Sequence, residues 1–86
     1  MSKVIVYTTV PCGRCGNAKA ILERHGAEYE EVNLAKDPDG RTELARRTGL
    51  MTFPQIVVGE RTLGGLDELR AAEESGELAE LLSPPR

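Results

Sequence analysis

Tryptophan is absent from this sequence, and the aromatic residues amount to one Phe and two Tyr. A core without large aromatic rings must be filled by Val, Ile, Leu and Ala. Long apolar runs are missing too. Nothing approaches the ~20 residues that cross a bilayer, so no membrane partner is expected. The first apolar stretch, Val4-Ile5-Val6-Tyr7, follows Met1-Ser2-Lys3 and is broken by Thr8 and Thr9; it is too short for a secretory signal. Nor is there an excess of cations. Eleven Lys and Arg stand against 14 Asp and Glu, for a net charge of −3, without the basic patch expected of a nucleic-acid binder. Cysteine is scarce: both of the two residues fall in one short stretch, where a secreted disulfide scaffold would spread four or more along the chain. Together these absences imply a soluble protein of a reducing, cytoplasmic compartment.

What is present fits one domain over residues 1–86. A chain of this size buries roughly 60–65% of its unfolded surface, so the core is modest. Val4–Tyr7 is β-branched and apolar and reads as a buried strand. From Cys15 to His25 the apolar positions Ala18, Ile21 and Leu22 have helical spacing, and Gly26 is a stop signal. Tyr29–Leu34 reads as a second strand. Asp37-Pro38-Asp39-Gly40 reads as a turn in which Asp37 or Asp39 caps a helix running to Thr48, with Gly49 ending it. Gln55–Val58 is a third strand, turning at Gly59-Glu60 into a short fourth at Arg61–Leu63. Gly64-Gly65 leads into a helix from Leu66 to Glu74. Gly76 interrupts it, Leu78, Leu81 and Leu82 suggest one more helical turn, and Ser83–Arg86 reads as a frayed tail. The expected fold is α/β, in the order βαβαββα: a four-stranded mixed sheet flanked by helices, with parallel members and an antiparallel edge from the final hairpin.

Cys12 and Cys15 stand between the first strand and the first helix. At a helix N-terminus, unpaired backbone N–H groups and the helix dipole favour negative charge, and thiols there ionise at pKa values of roughly 3.5–7.5. This makes Cys12 the nucleophile and Cys15, one turn further in, the resolving thiol; together they form a redox-active disulfide. Arg14 adds positive charge between them. Two other readings exist. Half of a zinc site would need four ligands, and the sole His is His25, ten residues further along. A pair of buried structural cysteines would suit a core strand better than a Gly-flanked loop. The two-residue spacing beside a βαβ pattern favours redox chemistry, and no metal is expected.

The sequence resembles the glutaredoxins over nearly its whole length. The resemblance rests on Tyr7-Thr8, Cys12-Gly13-Arg14-Cys15, Thr52-Phe53-Pro54-Gln55 and Gly64-Gly65-Leu66-Asp67. It implies a thioredoxin fold and a cis peptide before Pro54. It also implies a groove for glutathione lined by Arg14, Arg41, Thr52, Phe53, Pro54, Gly65, Leu66 and Asp67. There the Phe53 backbone would pair with the cysteine end of glutathione, and N–H groups at Leu66 and Asp67 would hold the glutamyl carboxylate. The Asp67 carboxylate would take the ammonium, unless it serves as a helix cap. Arg41 would bind the glycine carboxylate, with Arg46 and Arg47 a solvated face. The sequence departs from the family in two places. Gly13 and Arg14 replace the Pro and Tyr of the common Cys-Pro-Tyr-Cys site, and Thr9 stands near where many members carry a Lys, a loss for which Arg14 compensates in part. Thioredoxins differ more, since they are longer and carry Trp before the first cysteine. Glutaredoxin-like donors to ribonucleotide reductase carry Ser-Gly-Phe in place of Gly64-Gly65-Leu66.

The resemblance implies a monomer that reduces protein disulfides or glutathione mixed disulfides, with glutathione as co-substrate and disulfide-containing proteins as partners. Two alternatives go with it. Gly13 also matches the Cys-Gly start of monothiol members, which would make the chain a carrier of a glutathione-ligated [2Fe–2S] cluster. A third reading is a dedicated electron donor to one reductase.

Overall fold

The computed structural model describes residues 3–10 and 13–82. Its elements are β1 (Val4–Thr8), α1 (Gly13–Arg24), β2 (Tyr29–Asn33), α2 (Pro38–Thr48), β3 (Gln55–Val58), β4 (Arg61–Gly64), α3 (Leu66–Ser75) and α4 (Glu77–Leu82). The four strands form one sheet in the order β2-β1-β3-β4. β1 runs parallel to β2, with Val4 opposite Tyr29 and Thr8 opposite Asn33. β3 runs antiparallel to both β1 and β4. Antiparallel pairing is therefore not confined to the edge hairpin, as expected from sequence, but extends to the centre of the sheet.

Alternation along the strands sends Val4, Val6, Ile56 and Val58 to one face, where α1 and α3 cover them with Ala18, Ile21, Leu22, Leu66, Leu69 and Ala72, and α4 adds Leu78. This aliphatic cluster replaces the aromatic core that the composition excludes. Val57 is buried outside that cluster. Gln55, two residues before it, faces α2 through a hydrogen bond from Thr48. β2 is an edge strand whose Glu30 and Glu31 are exposed and paired with Lys3 and Lys19 at 3.0 Å. Charges of this kind discourage pairing with a further strand.

Four elements, β1, β2, β4 and α3, end one residue away from the sequence reading, and three further differences concern the helices. The Asp37–Gly40 turn is the start of α2 itself: Pro38 opens the helix, where its missing N–H costs nothing, and the Asp37 carboxylate accepts from Gly40 N at 2.8 Å. α1 begins at Gly13, two residues earlier than its apolar pattern shows, because those first positions are exposed. The turn after Gly76 is a helix of its own, α4, so the order ends in two helices. Ser83–Arg86 lie outside the described residues. Among the described residues no helix is long and apolar enough to cross a membrane.

Candidate functional site

Tyr7 near the end of β1 lies opposite Gln55 at the start of β3, and Ile56 lies opposite Gly64 at the end of β4. The sheet thus brings three chain segments to one end: the start of α1, the loop before β3, and the start of α3. Between them is a groove of about 350 Å³ lined by Arg14, Thr52, Phe53, Pro54, Gly65, Leu66, Asp67 and Glu68. Seven of these eight are residues that the sequence reading assigned to one ligand. The Phe53–Pro54 peptide is cis.

Each segment is held by identifiable contacts. Gln55 is 1% exposed, and its side-chain amide donates to Leu50 O and Thr52 O, both at 3.0 Å, while accepting from Thr48 Oγ1 at 2.9 Å. It ties the groove loop to the end of α2. At the third segment, Gly64 has φ +124°, and a Cβ there would meet the Glu68 side chain at 2.8 Å. Only glycine suits that turn. Gly65 has ordinary extended φ and caps α3. Its N–H donates to Glu68 Oε1 at 2.9 Å. Glu68 rather than Asp67 therefore takes part in capping, and Asp67 is left to the groove. There its Oδ1 receives the Arg14 guanidinium Nη2 at 3.1 Å, across 53 positions of sequence. The first N–H groups of α3, at Leu66 and Asp67, precede any intrahelical acceptor and open toward the groove end of the helix.

Cys15, in the first turn of α1, is 4% exposed and disulfide-bonded. Cys12, the chain's other cysteine, lies outside the described residues. His25 lies just past the end of α1, its Nε2 at 2.8 Å from Glu73 Oε2, in an ion-pair cluster with Arg24. Arg41 does not share the groove's wall. Its Nη1 donates to Leu34 O at 2.5 Å and Ala35 O at 2.9 Å, fastening the β2–α2 connection. It lines a neighbouring cavity of about 330 Å³ with Pro38, Leu50 and Met51, and Phe53 is common to both hollows. Arg46 is paired with Glu43 on the exposed side of α2, as a solvated face would be.

Sequence reasoning gave no role to Glu68 or to the Gln55 amide. Glu68 had a signal, a carboxylate three residues after the glycine that starts the helix. Gln55 had none, because a strand pattern does not tell which polar residue faces inward.

Comparison with known proteins gives the following matches. The family model described as glutaredoxin matches residues 4–63. A glutaredoxin of Pseudomonas aeruginosa is 45% identical over 83 residues, covering 96% of this chain and 99% of its own length. The solution structure of glutaredoxin from Brucella melitensis superposes with a TM-score of 0.85 at 45% identity, covering 95% of this chain and 89% of that one. A crystal structure of the buckwheat glutaredoxin–glutathione complex gives a TM-score of 0.86 at 27% identity, over 94% and 76% of the two chains.

Proposed function

The chain belongs to the glutaredoxin family of thiol–disulfide oxidoreductases, and on that premise we propose that it reduces glutathione mixed disulfides and protein disulfides with glutathione as reductant, through Cys12 and Cys15. The observation that carries this reading is the single groove in which Arg14, Thr52, Phe53, Pro54, Gly65, Leu66 and Asp67 meet beside the first turn of the Cys15 helix. Glutathione bound to the buckwheat relative supports the same ligand. Such chemistry belongs in a reducing compartment, the cytoplasm, where glutathione is replenished.

In the proposed reaction the Cys12 thiolate attacks the glutathione sulfur of a mixed disulfide. A Cys12–glutathione disulfide forms, and the substrate thiolate leaves and takes up a proton. A second glutathione, as thiolate, attacks the bound glutathione sulfur, which releases glutathione disulfide and restores the Cys12 thiolate. With a protein disulfide, the Cys15 thiolate attacks the Cys12–substrate bond instead. The Cys12–Cys15 disulfide that results is reopened by two glutathiones. The groove orients the tripeptide. Backbone at Thr52–Pro54 takes its cysteine portion, and the start of α3 with Asp67 takes its glutamyl end. Arg41, beyond Phe53, takes its glycine carboxylate while Nη1 stays anchored on Leu34 and Ala35.

The test is turnover of a small glutathione mixed disulfide with glutathione and glutathione reductase. Cys12→Ser should abolish turnover and Cys15→Ser should retain it. An inactive wild-type protein would overturn the reading.

A further inference from the structure

Among the described residues, Arg14–Asp67 is the one ion pair between side chains of the groove wall, and it spans the two helix starts that form its ends. It is not a fold-holding contact, because the two side chains are 56% and 75% exposed and exposed pairs contribute little to stability. The groove's other carboxylate, Glu68, is engaged by Gly65 N–H. A cation entering this end therefore meets Asp67, and finds it already occupied by a guanidinium.

We propose that Arg14 is a specificity-determining residue: with Asp67 it forms an exchangeable ion pair that receives an α-amino-acid head group, ammonium to Asp67 and α-carboxylate to Arg14. This rests on the glutathione reading above and adds a selection rule to it. A γ-glutamyl head carries both charges on one carbon. On binding, the internal pair opens and two new pairs close, so that four charges alternate in sign around the end of the groove. A ligand with the ammonium alone separates Asp67 from Arg14 and returns nothing to the guanidinium. A ligand with the carboxylate alone leaves Asp67 without a cation. Each single-charge ligand therefore gives up a pair that the zwitterion keeps. The planar fork of Arg14 suits the carboxylate bidentately, and it adds to the N–H groups at the start of α3 without displacing them.

The experiment uses S-methylglutathione and its analogue lacking only the α-carboxylate, γ-aminobutyryl-S-methylcysteinylglycine, which keeps the ammonium, as competitive inhibitors of mixed-disulfide turnover. Inhibition constants are measured for wild type, Arg14→Gln and Arg14→Lys. In the wild type, loss of the carboxylate should weaken inhibition by about tenfold, the scale of one charge-assisted contact. In Arg14→Gln that ratio should shrink about fivefold, with S-methylglutathione bearing the loss, and Arg14→Lys should restore part of it. A ratio unchanged by Arg14→Gln would overturn the proposal, because Arg14 would then act without reading the carboxylate. Tighter binding of both ligands to Arg14→Gln would also overturn it, making Arg14 a bolt over Asp67. Wild-type turnover without inhibition by S-methylglutathione would strike at the glutathione reading itself, a failure distinct from either of these.

Discussion

Gln55 uses each end of its side-chain amide in a site closed to water. Thr48 donates to its oxygen, and its nitrogen serves two carbonyls of the loop that carries Thr52 and Phe53. Truncation to Ala removes all three bonds and leaves the carbonyls and the hydroxyl to find other partners. Gln55→Ala should cost about 2–3 kcal/mol, measured by urea unfolding. It should also raise KM for glutathione more than it lowers kcat, because the loop shapes the groove and does no chemistry. A full loss of stability with KM unchanged would show that the loop holds its form alone. At this scale the sequence is only partly legible. That Asp67 faces the groove follows from the family motif, and the capping by Glu68 that leaves Asp67 to it has a local signal, but the engagement of Asp67 by Arg14 depends on which side chains meet across 53 positions. Arg41 was assigned a ligand; its two bonds to backbone carbonyls are a tertiary fact that no spacing encodes.

Elements were far more legible than side chains. Val4–Thr8 and Gln55–Val58 are β-branched or apolar over most of their length, and their central pairing buries Val4, Val6, Ile56, Val57 and Val58. The left-handed glycines at 49 and 76 close α2 and α3 where the sequence punctuates them. Less legible was anything set by exposed residues, such as the start of α1 through Gly13 and Arg14, where no apolar period exists to read. That start also carries two glycines, Gly13 and Gly16. Gly16 lies within α1, is exposed, and would place a Cβ with nothing within 4 Å. Gly16→Ala should therefore stabilise the protein by about 0.5–1 kcal/mol, seen as a rise in Tm of roughly 3–6 °C for a domain this small. A fall in Tm would mean that the first turn of α1 requires the conformational freedom of glycine.

For the molecule as a whole, charge matters through pairing more than through the net value of −3. Three carboxylates have pKa values lowered by cations on other elements or on the next turn. Lys19, then Thr8, hydrogen-bond Glu31; Arg46 does so for Glu43; and Arg24, then His25, for Glu73. In the unfolded chain these groups return to about 4.3, so between the folded and unfolded values the unfolded state binds more protons and stability rises with pH. The contribution is complete above about pH 5 and is lost as pH falls through the folded values. Glu73 joins α3 to the end of α1, with Arg24 Nη2 at 2.9 and 3.0 Å, so its protonation loosens the helical layer over the aliphatic core. Glu73→Gln should lower Tm modestly at pH 7, and the difference from wild type should narrow steadily below pH 5 and close once the pH has fallen through the lowered folded value of Glu73, where the wild-type carboxylate is protonated as well. Salt should shrink the neutral-pH difference, since Arg24 is 62% exposed and such a pair is screened. A difference that persisted unchanged into acid would assign the effect of Glu73 to packing between α1 and α3, and the acid sensitivity would then rest with Glu31 and Glu43, whose Gln variants should show the converging curves in place of Glu73→Gln.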